Sequence, residues 1–165
     1  MWLVSSILIA SCIAIFVYDL KYRAVYWWLY VLVFGGSLYV ALQLSTVSVW
    51  KFHAMINICI ILFQFIVLQV WYIVRVGRFE FLFRKAIGWG DILFLLCPVV
   101  LLPVPLFLYF LAGGLLLSLI IHTFALRFSA QYSKTVPLAG YLSIMYALLF
   151  VAHMFHIIPI SYAAL

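Results

Sequence analysis

Three acidic side chains, Asp19, Glu80 and Asp91, stand in a chain of 165 residues that is 71% hydrophobic, and two of them have a setting suited to chemistry. Asp91 follows Gly88-Trp89-Gly90 and is the one charged residue between Ala86 and Leu126. A carboxylate at membrane depth costs roughly 3 kcal/mol on insertion scales, so something must offset it. Asp19 closes the first apolar run, at a depth that Asp91 matches if the first span continues by a residue or two. Two carboxyls that share a site do not both ionise readily, so one holds a proton while the other stays charged. Such a pair activates water with its charged member and hydrogen-bonds a carbonyl oxygen with its protonated one, the requirements of aspartyl peptide hydrolysis. Each Asp also has a plainer account: Asp19 pairs with Lys21 or Arg23 at the interface, and Asp91 with Arg84 or a partner on the fifth span.

Other polar residues carry less. Glu80 precedes Arg84 by four residues, the spacing of a solvated helical pair. Phe79, Phe81, Leu82 and Phe83, beside Arg75, Arg78 and Lys85, read as a segment lying on the cytoplasmic leaflet. His153 and His156 share a helical face with no carboxylate or thiolate near them in sequence, and His122 reads as a locally hydrogen-bonded histidine. Cys12, Cys59 and Cys97 stand singly in apolar runs, without the paired spacing of a disulfide framework or a zinc site. No metal and no other cofactor is expected. Asn57, Gln64 and Gln69 are expected to form hydrogen bonds between helices.

The elements that must position the two carboxyls follow from composition. Nine basic and three acidic residues make 7% of the chain, against roughly a quarter in a soluble domain. Mean hydropathy is +1.36. So few charges cannot coat a water-facing surface, which excludes a soluble globular domain, a disordered chain and a nucleic-acid-binding module. The chain reads as one all-α, polytopic membrane domain over residues 1–165. A span needs about 20 apolar residues, and charge or turn chemistry cuts the sequence into six: 2–18, 24–44, 54–74, 85–102, 105–126 and 138–158. Trp27, Trp28 and Tyr30 read as an interfacial belt and residues 45–53 as a short loop carrying Lys51. A break is expected near Pro98, Pro103 and Pro105. With the fourth span starting near Lys85, Asp91 lies on the order of 9 Å inside it. Gly35-Gly36 and Gly113-Gly114 are expected to let helices approach closely.

Charge supplies an orientation. Lys21, Arg23, Arg75, Arg78, Arg84, Lys85, Arg127 and Lys134 fall on one side and Lys51 alone on the other. The positive-inside rule makes the first side cytoplasmic and both termini extracytoplasmic. Ile9-Ala10-Ser11-Cys12 loosely resembles a lipoprotein cleavage box, yet no Lys or Arg precedes the apolar run, so residues 2–18 are kept as a span.

Gly88-Trp89-Gly90-Asp91 matches the Gly-x-Gly-Asp signature of intramembrane aspartyl proteases. Asp19-Leu20-Lys21-Tyr22-Arg23-Ala24-Val25 resembles the first catalytic motif of type IV prepilin peptidases, and Lys134-Thr135-Val136-Pro137-Leu138-Ala139 is similar to the start of that family's last span. Together the motifs cover essentially the whole chain. Tyr26, Leu93 and Gly140 stand where the family often has Pro, Lys and a second Pro. The resemblance implies Asp19 and Asp91 as catalytic residues, with Gly88, Gly90, Lys21, Arg23, Lys134 and Pro137 in support. It also implies the short form, without the N-terminal extension associated with methylation.

The resulting expectation is an aspartic-type endopeptidase of the inner (plasma) membrane, its site facing the cytoplasm. It would remove short basic leaders from type IV pilin-like precursors, serving a pilus or protein secretion, and its partners would be those precursors and the bilayer. Tyr18-Asp19 also resembles the Tyr-Asp motif of membrane aspartyl proteases of the presenilin or signal-peptide-peptidase type, which use about nine spans. The alternative of a different class is a small transporter or proton channel with Asp91 as a relay.

Overall fold

The computed structural model describes residues 2–76, 88–128, 137–155, 157, 158, 160 and 162. Among these the chain is all-helical: α1 (Trp2–Tyr22), α2 (Trp27–Leu44), α3 (Val47–Val76), α4 (Trp89–Leu101), α5 (Val104–Phe128) and α6 (Leu138–Met154). Helices suit so apolar a sequence because each satisfies its own backbone, which lipid cannot do. Four of them, α1, α2, α3 and α5, are long and apolar enough to cross a membrane. The 13 residues of α4 and the 17 of α6 are shorter, about 20 and 26 Å at 1.5 Å per residue.

Polarity is distributed as lipid demands. Phe63, Ile66, Leu116, Leu119 and Leu148 face outward, while Ser37, His53, Asn57, Ser118 and Ser143 are buried. In water that arrangement would expose far more apolar surface than a monomer tolerates. α1 packs most extensively on α6, α2 on α4, and α4 also touches α3 and α6. Their centre is the fully buried Tyr146. Its hydroxyl is 2.8 Å from Ser37 Oγ and donates to the Cys97 carbonyl at 3.3 Å, while Phe94, Phe110 and Phe150 meet its ring edge to face. One residue thus ties α2, α4, α5 and α6 together. Of the glycine pairs, Gly36 and Gly114 are the close approaches. A Cβ there would lie 2.6 Å from Leu8 Cδ2 and 2.5 Å from Leu142 Cδ2 respectively, whereas Gly35 faces open space.

Several expected boundaries move. The loop expected over residues 45–53 shrinks to Ser45-Thr46, and α3 begins at Val47. The reason is that Trp50 and His53 are helical anchors: Trp50 Nε1 donates to the Val100 carbonyl at 2.7 Å and His53 Nδ1 accepts the Val104 N–H at 3.3 Å. The helix runs through Pro98 and breaks at Leu102-Pro103. Pro103 and Pro105 have no N–H, so the Val99 and Leu101 carbonyls lose their helical donors. Asn57 Nδ2 serves Val99 at 3.1 Å and Leu102 at 2.8 Å, and the Tyr162 hydroxyl serves Leu101. Asn57 is therefore the interhelical bonder the sequence suggests. The last helix ends at Met154 rather than 158, where the Ile157 and Ile158 N–H groups both turn back to the Ala152 carbonyl.

Candidate functional site

Four helix ends meet opposite that proline-rich turn. α1 runs past the expected boundary at 18 to Tyr22, carrying Asp19 in its last turn. Arg23 then takes the left-handed conformation at φ 53°, closing the helix where glycine is usual. Residues 24–26 lead into α2, which starts three residues later than expected.

On α4, Gly88 is extended at φ −73°, ψ 142°, and the helix starts at Trp89. Asp91 is consequently the third helical residue. It lies about 3 Å past the helix start by the rise per residue, not the deeper position expected from a start at Lys85. That location is favourable to its charge. Asp91 Oδ2 accepts the N–H of Gly88, three residues back, at 3.3 Å, and the positive end of the α4 dipole lies beneath it.

The second receptor for both carboxyls is α6. Pro137, buried at its N-cap, has no N–H and hands its carbonyl to Tyr141 at 3.2 Å. The next free amides point at the two aspartates: Ala139 N–H donates to Asp91 Oδ1 at 2.8 Å and Gly140 N–H to Asp19 Oδ2 at 2.7 Å. A helix leaves its first amides without internal partners, and side chains from two other helices fill that role here. Ala139 and Gly140 are consecutive, with Cα atoms about 3.8 Å apart. The carboxyls of residues 19 and 91 therefore converge on one patch, each half-buried. Gly140 lets Asp19 come close, since a Cβ there would sit 3.0 Å from Asp19 Oδ2 and oblige the carboxyl to give by a few tenths of an ångström.

The remaining expected site residues divide. Gly88 and Gly90 flank Asp91, and Pro137 opens the helix that receives both carboxyls. The Arg23 charge acts on Asp19. Lys21 is exposed, with its ammonium 5.1 Å from the Tyr22 ring centroid. Lys134, Glu80, Arg84, His156 and the segment of residues 79–83 lie outside the described residues. His153 Nδ1 accepts the Ile160 N–H at 3.2 Å, and His122 is buried in α5. Among the described residues, no three His, Cys, Asp or Glu side chains are grouped closely enough to hold a metal ion.

Tyr30 corrects the reading of the aromatic belt. Trp27 and Trp28 are exposed as a belt requires, but Tyr30 is only 5% exposed. Its hydroxyl faces the Gly90 backbone, where an added Cβ would lie 2.7 Å from Oη, and it feels the charge of both Asp19 and Asp91. The signal was available: Tyr30, Val33 and Ser37 are spaced by three and four, the inward stripe of α2. Backbone donors such as Ala139 and Gly140 have no comparable signature in side-chain type.

Set against protein-family models, curated proteins and solved structures, the chain matches none.

Proposed function

We propose that the protein is a membrane aspartyl endopeptidase that removes short basic leaders from type IV pilin-like precursors at the cytoplasmic face. The observation that carries the reading is the meeting of Asp19 and Asp91, from different helices, on the consecutive amides of Ala139 and Gly140. The ionised carboxyl takes a proton from water as the water oxygen attacks the scissile carbonyl carbon. The protonated carboxyl hydrogen-bonds the carbonyl oxygen as it gains charge. Collapse of the tetrahedral intermediate breaks the C–N bond, and the departing amine receives the proton. Throughout, the α6 amides hold both acids in register and its dipole offsets their like charge.

The reading counts all six helices as spans, with both termini extracytoplasmic. A pilin-like substrate presents its leader junction where its apolar helix meets the cytoplasm, and an acid pair at helix ends suits that level. The pair's negative charge also favours a basic leader.

Co-expression with a tagged prepilin tests the proposal, followed by N-terminal sequencing of any shortened product. A single cut at the junction between leader and apolar helix is expected. If a panel of well-inserted prepilins stays full length, the peptidase reading fails, and Asp91 becomes a candidate relay to be tested by proton flux.

A further inference from the structure

Tyr30 is a bulky, hydroxyl-bearing residue buried against Gly90, next to Asp91, and packing alone explains only its ring. Val33 and Ser37 continue its inward stripe along α2, and the ring fills the space between α2 and α4 as phenylalanine would. The hydroxyl is different. It reaches the backbone of Gly90 beside Asp91, and it interacts with both carboxyls through their charge. A phenol with an ordinary pKa of about 10 is protonated at neutral pH. It can therefore donate a hydrogen bond and accept another, but it cannot serve as the base.

We propose that Tyr30 is the water-positioning residue of the site: its hydroxyl, set against Gly90 beside Asp91, holds the water that the Asp19–Asp91 pair activates. This rests on the aspartyl peptidase reading for its catalytic consequence, though not for the placement of the hydroxyl beside Gly90. The α6 amides hold Asp91 Oδ1 and Asp19 Oδ2, the Gly88 N–H holds Asp91 Oδ2, and Tyr30 constrains the solvent beside them. A water held between the ionised carboxyl and a phenol has its lone pair directed and loses little freedom on reaching the transition state. Gly90 acquires a reason of its own. Any side chain there would push the phenol oxygen away, while the next ring atom, Cζ, stands 3.5 Å from the same point in ordinary contact.

The experiment compares wild type, Tyr30→Phe, Gly90→Ala and the double variant in detergent-purified full-length protein. Tyr30→Phe keeps the ring, so folding is retained. On a cleaved prepilin, kcat is expected to fall about 10- to 100-fold with KM within about threefold, the scale of one hydrogen bond to a charged group. Gly90→Ala should cost a similar factor when Tyr30 is present and little further when it is combined with Tyr30→Phe, where the clashing oxygen is gone. A readout independent of turnover is the infrared C=O band of the protonated carboxyl, assigned by its loss in Asp19→Asn or Asp91→Asn. Tyr30→Phe should shift that band. An unshifted band in folded protein overturns the inference whatever the cleavage assay gives, and so does an unchanged kcat on a substrate that Asp19→Asn fails to cut. A shifted band in a protein that cuts no prepilin keeps the Tyr30 contact and sinks the peptidase reading instead.

Discussion

Asp19→Asn keeps the shape and the bond accepted from Gly140, Asp91→Asn keeps the shape and the bond accepted from Ala139 while giving up that from Gly88, and each removes the ability to exchange a proton. Each should lower leader cleavage by about 10³-fold or more with abundance near wild type, and the double variant should be no worse than either single one, because the pair acts as a unit. Immunoblotting of precursor and product over a time course, against a membrane-fraction control, gives the answer; substantial cleavage by Asp19→Asn would dissolve the pair. Gly140 offers a subtler test. Alanine retains the N–H but brings a methyl to 3.0 Å from Asp19 Oδ2 and 3.2 Å from its Cβ, so the carboxyl must shift by a few tenths of an ångström. Gly140→Ala should lower kcat about tenfold, whereas Gly140→Pro, which deletes the donor, should approach the loss of Asp19→Asn; equal activity of all three glycine-site forms would remove Gly140 from the site. At this scale the acids were legible because carboxylates are scarce in an apolar chain. Their receptors were not, since a backbone amide gains meaning only from where its helix begins. Gly140 is instructive: it departs from the proline usual in the family that the motifs resemble, and a proline there would have no N–H for Asp19.

Each helix end has to find donors or acceptors that the helix itself cannot supply, and the two ends of α4 solve this in opposite ways. At its start, Asp91 turns back on Gly88 and forward to Ala139. At its close, Trp50, Asn57 and Tyr162 donate to the Val100, Val99, Leu102 and Leu101 carbonyls exposed by the Pro-Val-Pro turn. Asn57→Leu fills similar volume but leaves two buried carbonyls without their donor, at about 1–3 kcal/mol each. It should lower the thermal midpoint in detergent without lowering kcat below that midpoint, because the lesion lies at the end of α4 away from Asp91. A midpoint equal to wild type would mean that water replaces the amide. Sequence alone found the apolar runs and the prolines, yet it closed the second span with a loop of nine residues where two suffice. Lys51 and His53 looked like loop residues; His53 is in fact a buried helical acceptor for Val104, and Lys51 extends from an exposed helical face. The start of α4 was misjudged for a related reason. Counting back about 18 residues from Leu102 puts the helix start near Lys85, whereas Gly88 stands extended and α4, packed among α2, α3 and α6, begins at Trp89.

On the scale of the whole molecule, the site and the proline turn occupy opposite ends of one bundle, and charge separates the same way. Lys21, Arg23 and Arg75 belong to the end that holds Asp19, and Lys51 to the end that holds Asn57. A basic end left in the cytoplasm during insertion would put the acid pair there too. The cysteine-free protein, with Cys12, Cys59 and Cys97 replaced by Ala, gives a clean background for topology. Cys12 and Cys97 are wholly buried, so Ala suits them better than Ser. Single cysteines at Ser45, in the turn between α2 and α3, and at Ser133 should then differ: an impermeant thiol reagent added outside intact cells labels position 45 and spares 133 until the membrane is opened. The same background should cleave leaders at close to the wild-type rate in the presence of a chelator, since the proposed chemistry uses neither thiolate nor metal. Labelling at 133 and not at 45 would invert the bundle. The pair would then face away from the compartment where leaders are made, and a peptidase acting on nascent pilin-like chains could not be this protein.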